Sequence, residues 1–311
     1  MIGGLTKEAV AGSISAEVKR PKNSVVATIP IGPGAYTGLA ISPDGQSVYV
    51  ANGQSIVVIN ANTNQIASTF TIPHVALGLA ITPDGNSLYC ATGDTLYQVS
   101  TGTMTLTKHF PTGQGGFFAA VSPDGQTVYV PNDDGITVIA NNKVATIINV
   151  LGTTLAFSPD GTRAYVPNSG NYLSVIDTAT YEVIAVLKGG LPKAYAIAIT
   201  PDGATIYVTI KREVVVINTS SLGIIGHFVV PAAYPTSTAV KPNGRYLYIT
   251  EDEDSGPGKV FMVNTATNTF LGPSVTVGNG PQVIAIAPNG KNAYVVNSRD
   301  GTVSVIDISP E

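Results

Sequence analysis

Tryptophan is absent from all 311 residues, cysteine occurs once, histidine three times, and charged residues make up only 12% of the chain. Each scarcity excludes something. A lone Cys90 forms no internal disulfide and completes no Cys/His zinc set; at a position where other segments place Val, Ile or Ala, it reads as a buried, inert thiol. With 16 basic against 20 acidic residues and a net charge of −4, the chain has no basic field for nucleic acid. Its one short basic run, Lys19, Arg20 and Lys22, reads as a solvated linker. No stretch approaches the roughly 20 apolar residues of a membrane span, so no span is expected. The start, "MIGGLTKEAVAGSISAEVKRP", lacks a compact apolar core with a small-residue cleavage site. As written, the chain is expected in the cytoplasm, and in the periplasm or secreted if a signal peptide has been removed.

What is plentiful is punctuation. With 33 glycines and 21 prolines, the composition calls for many short strands joined by tight turns. "SPDGQSVYVAN" at 42 returns as "TPDGNSLYCAT" at 82, "SPDGQTVYVPN" at 122 and "SPDGTRAYVPN" at 158. Aligned on the turn proline (43, 83, 123, 159, 201, 242 and 288), the chain divides into seven units spaced by 40, 40, 36, 42, 41 and 46 residues. In the first unit "LAI" runs into "SPDG", where Pro presets φ, Asp can bond its own backbone and Gly accepts positive φ. "SVYVAN", "SIVVIN" and "QIASTFTIP" follow. Four antiparallel strands in about 40 residues, seven times over, predict an all-β, seven-bladed β-propeller.

Two features bear on closure. Alanine stands three residues before every turn proline (Ala40, Ala80, Ala120, Ala156, Ala198, Ala239 and Ala285), as expected if the innermost strands converge where side chains have little room. The last unit ends without a fourth strand, whereas "SVVATIPIG" at 24–32 has the fourth-strand pattern and precedes the first unit. Residues 24–31 are therefore expected to close the last blade and remove two sheet edges. Residues 1–23 fall outside the repeat, as an N-terminal extension to a propeller of residues 24–311.

The units, above all "YVTI" at 207–210, "SVIDTAT" at 174–180 and "AYVVNSRDGTVSVID" at 293–307, resemble the YVTN repeats of YncE-like and surface-layer-type seven-bladed propellers. The resemblance covers residues 24–311. It implies the fold but no single activity, since binding modules, lactonase-like enzymes and streptogramin lyases share it. Without tryptophan, WD-type repeats and the blades of quinoprotein dehydrogenases match poorly.

Near-identical turns crowd one face of such a ring, so a site is expected on the other, where variable loops surround the mouth of the axial channel. The connections into the inner strands place Tyr36, His74, Phe117, Phe118, Lys193, Tyr195, Tyr234 and Gln282 there, and the turns between second and third strands add Tyr172, Lys211, Arg212, Glu251 and Arg299. Aromatic walls with a few charges suit a small organic ligand. The first expectation is a propeller that binds a small molecule or a protein partner. The second is a lyase, isomerase or cyclase without organic cofactor, in which His74 or Tyr195 moves protons and Lys193, Lys211 or Arg299 stabilises negative charge. The third is a protein-interaction scaffold. Glu251, Asp252, Glu253 and Asp254 lack calcium-loop spacing and read as a solvated acidic loop, so no metal is expected. Asp133 and Asp134 read as ordinary hairpin-turn residues.

Overall fold

The computed structural model describes residues 20–168, 170–231, 234–253 and 256–310, and the backbone alone of Tyr36. Most of the N-terminal extension, residues 1–19, and Asp254 of the acidic run lie outside the described residues.

In blade one the inner strand Ala35–Ile41 runs into the turn, where Gly45 adopts φ 70°. Ser42 Oγ donates to Asp44 Oδ1 at 2.5 Å, and the Gln46 N–H donates to the same oxygen at 2.9 Å. The second strand Ser47–Asn52, third strand Ser55–Asn60 and outer strand Gln65–Thr71 complete an antiparallel sheet. Seven such sheets follow one another, so the chain is a seven-bladed β-propeller. The turns also pack blade on blade. A Cβ on Gly85, whose φ is 74°, would come within 3.2 Å of Pro43 Cδ in the preceding turn. Proline and glycine are therefore kept in every copy of the turn, because each copy is the neighbour of the next.

Closure follows the expected route. Ser24–Pro30 pairs antiparallel with Thr302–Asp307, Ser24 opposite Asp307 and Pro30 opposite Thr302, with a bulge between Val25 and Ala27. Blade seven thus takes three strands from the end of the chain and its outer strand from the beginning. Lys22 ties the two together, its N–H on the Ser309 carbonyl at 3.0 Å and its Nζ on Asp307 at 3.2 Å. The buried Lys241 of blade six donates Nζ to the Ile308 carbonyl at 2.6 Å.

The alanines pack for a reason beyond convergence at the axis. Each stands in register opposite a tyrosine of the second strand: Ala40 with Tyr49, Ala80 with Tyr89, Ala120 with Tyr129, Ala156 with Tyr165, Ala198 with Tyr207, Ala239 with Tyr248 and Ala285 with Tyr294. These tyrosines are buried. Ala40 and Tyr49 face blade two, packed with Leu79, Leu88 and Cys90, whereas the next residue, Ile41, packs toward blade seven. Both faces of the inner strand therefore look into seams between blades, and the methyl is small because a phenol fills its side of the seam. Each such large side chain contributes roughly 1.5–3 kcal/mol by leaving water.

Candidate functional site

The expected site residues divide into separate groups. His74, in the connection into blade two, is exposed and turns its Nδ1 to the Tyr97 hydroxyl at 2.7 Å, on the third strand of that blade. The Tyr97 ring lies in turn 6.2 Å from that of His109 on the outer strand. Phe117 is 57% exposed, while Phe118 packs into the seam between blades three and four. Tyr172, Tyr195 and Tyr234 are each about two-fifths exposed. Lys211 and Arg212 form the exposed two-residue turn of blade five, and Gln282 is half-buried on the inner strand of blade seven. Tyr36 lies in an irregular stretch of the first inner strand, between the register positions of Ala35 and Leu39.

Asp252 and Glu253 of the acidic run are held by cations rather than lying free in water. Arg299 of blade seven reaches across to blade six, with Nη2 on Asp252 Oδ2 at 2.5 Å and Nη1 on the Glu253 carbonyl at 3.0 Å. Lys259 pairs with Glu253, and Glu251 is buried. Asp252 and Arg299 thus form a clamp between two blades, while Glu251 is buried at the end of the second strand of blade six. Among the described residues, no group of three His, Cys, Asp or Glu side chains stands as a metal set.

A concavity forms where the repeat is shortest. The unit from Pro123 to Pro159 has 36 residues against 40 in the first. Its outer turn is Asn141 and Asn142 alone, both left-handed at φ 52° and 60°, where blade one has residues 61–64. The remaining shortfall falls on the connection 149–155 into blade four. The inner strand that follows is reduced to Ala156–Phe157, and that of blade three is Ala120–Val121, against six residues each in Pro235–Val240 and Pro281–Ile286. Gly152 bridges to Asn168 and lies so flat on blade four that a Cβ would meet Val166 Cγ1 at 2.5 Å and the Pro167 carbonyl oxygen at 2.9 Å.

The short connection leaves a crevice of about 400 Å³ lined by Asn132, Asp133, Leu151, Gly152, Asn168 and Lys193, with Thr153, Pro167 and Ala194. Blades three, four and five all contribute, on the face that carries the variable loops. Lys193 stands there in left-handed backbone, φ 51°, which costs a non-glycine residue about 1 kcal/mol or more. Asn132 is fixed by its Nδ2 on Thr137 Oγ1 at 2.8 Å, and Asn168 by its Nδ2 on Ser174 Oγ at 3.1 Å. Neither the Lys193 ammonium nor the Asp133 carboxylate pairs with a described residue. Of the expected residues the crevice gathers Lys193, with Tyr195 two positions on in the same connection; His74 belongs to another part of the ring.

A second crevice of about 460 Å³ lies on the opposite face, between the turns of blades four and five. Its carboxylates are already committed. Asp160 accepts from Ser158 Oγ and from the Thr162 N–H and hydroxyl. The Ser158 hydrogen bond, followed by that from the Thr162 backbone, holds its carboxyl below the usual range. Asp202 is held down likewise by Thr200. This crevice is a gap between structural turns, whereas the first is a gap where the repeat is broken.

No family model matches the chain, and no curated protein matches it in sequence. Solved structures do resemble it. Hydrazine synthase of Kuenenia stuttgartiensis superposes with a TM-score of 0.78 at 21% identity, over 96% of this chain and 100% of that one. The Cps50 (Swd1) β-propeller domain of Myceliophteria thermophila gives 0.75 at 12% identity, over 92% and 100%. At such identities the likeness concerns the fold, and it confirms the seven-bladed β-propeller read from the repeats.

Proposed function

We propose that this chain is a binding propeller that holds a small polar molecule in the crevice over Gly152, with Lys193 taking an anionic group of the ligand. The observation that carries this reading is a concavity of about 400 Å³, within the range of small-molecule sites, with an unpaired cation on its rim. Leu151, Pro167 and Ala194 supply apolar wall, and Asn132, Asn168 and Thr153 supply polar groups that fix orientation. The resemblance of the repeats to those of YVTN-type propellers accords with this reading, since binding modules occur among them.

Binding is favoured over turnover by the placement of the proton-transfer candidates. Acid-base chemistry needs its groups within hydrogen-bond reach of one substrate. His74 serves the connection into blade two and is bonded to Tyr97, and Tyr195, although it follows Lys193 in the connection into blade five, is not among the residues that line the crevice. The test is a thermal-shift screen of a metabolite library, with hits titrated calorimetrically against the chain and its Lys193→Ala variant. A charge-assisted hydrogen bond contributes about 1.5–3 kcal/mol, so the variant should bind at least tenfold more weakly. Hits that bind Lys193→Ala as tightly as the parent would refute the proposal.

A further inference from the structure

Lys193 and Asp133 line the same crevice, carry opposite charge, and pair neither with each other nor with another described residue. Elsewhere on this face opposite charges find one another, as Arg299 does Asp252 and Lys259 does Glu253. The backbone explains why these two stay apart. Asp133 sits at the tip of the hairpin between Thr127–Asn132 and Gly135–Ala140, its N–H bonded to the Gln114 carbonyl at 2.9 Å and its carboxylate lying over Gly115. Lys193 projects from the connection into blade five, set by its left-handed φ. Asp134, the other charge of that hairpin, lies over Gly113 of the same segment.

Building on the proposed binding role, we infer that the ligand is a zwitterion, a free amino acid or dipeptide, with its carboxylate on Lys193 and its ammonium on Asp133. A simple anion entering the crevice gains Lys193 but meets the field of Asp133, and a simple cation meets the reverse. Only a molecule bearing both charges gains from both, because unlike pairs attract and like pairs repel over the same few ångströms. Leu151, Pro167 and Ala194 provide apolar wall for a side chain between the charged ends. No covalent step is involved.

The experiment is calorimetric titration of the full chain with four probes: leucine, leucyl-glycine, N-acetyl-leucine, which lacks the cation, and leucinamide, which lacks the anion. Leucine or leucyl-glycine should bind at least tenfold more tightly than either blocked compound. Asp133→Asn should erase the preference over N-acetyl-leucine, and Lys193→Ala the preference over leucinamide, with melting temperatures confirming that both variants fold. Equal binding of blocked and zwitterionic probes overturns the inference. So does a library ligand without an ammonium that binds in a Lys193-dependent way while all four probes fail, although the binding role then stands. Failure of every probe and of every library ligand overturns both.

Discussion

Replacing single hydroxyls among the seven buried tyrosines gives opposite effects at equivalent positions, and the signs follow from their hydrogen bonds. Tyr129 is fully buried, its ring edge-on to Phe157 at 4.9 Å, and among the described residues its hydroxyl has no hydrogen-bond partner. Desolvation of the phenol, the largest cause, pushes its pKa far above the ordinary tyrosine value. An unpaired buried hydroxyl costs about 1–3 kcal/mol, so Tyr129→Phe removes a penalty and leaves the ring contacts in place. Tyr248, in the same register of blade six, donates to Asn23 Oδ1 at 3.0 Å, and Tyr248→Phe forfeits a bond with a net contribution of about 1 kcal/mol. Tyr207, whose hydroxyl lies 3.3 Å from the Thr265 carbonyl and 3.2 Å from Asn268 Oδ1, belongs between them. Burial pushes its phenol up to about 12. The two extreme variants should therefore differ by about 2–4 kcal/mol. With a urea slope of about 3 kcal/mol/M, that separates their midpoints by roughly 0.7–1.3 M. Tyr129→Phe melting below the parent, or Tyr248→Phe above it, would refute the reasoning.

Four further outcomes are expected. Deleting residues 24–31 exposes the edge of Thr302–Asp307 and should leave aggregating or far less stable chains, seen by light scattering and thermal melts; a soluble, equally stable deletion would contradict closure. Ala40→Leu overpacks the seam beside Tyr49 and should cost about 1–3 kcal/mol in urea unfolding, where no loss would show the methyl is not confined. The Cys90 thiol, pushed up to about 12 by burial, should resist iodoacetamide at about pH 8 until the chain is unfolded, as followed by mass spectrometry; labelling of the native chain would refute its burial. Ser122→Ala should alter the pH dependence of stability. The Ser122 hydroxyl, ahead of the Gln126 N–H, holds Asp124 below its unfolded value. That stabilisation is present above the unfolded pKa of about 3.9 and disappears as pH falls through the lower folded value. The variant's deficit in melting temperature should therefore shrink between about pH 7 and about pH 2.5, and a constant deficit would remove the carboxylate from the account.

The fold was legible because it is said seven times. Proline and glycine recur in all seven turns and a capping Ser or Thr in five, each with one local role, and repetition multiplied that signal. The tyrosine six residues after each turn proline is as regular as the alanine it faces, yet its role needed the strand register, since sequence spacing does not say which residues meet across a sheet. Of the crevice, Lys193 was readable as a charge in a variable connection. Gly152, Asn168 and Asp133 were not, because they matter through a shortfall. The 36-residue unit was the available signal, and a missing stretch of chain shows its effect only when neighbouring blades are placed beside it. His74 shows the converse: its position in a variable connection was right, but a phenol from the third strand takes the ring.

Crystals of the chain soaked in a fragment library test the central claim most directly. Fragments should seat over Gly152, with an anionic group on Lys193. Fragments that gather instead between the turns at Asp160 and Asp202 and leave the Gly152 crevice empty would contradict it.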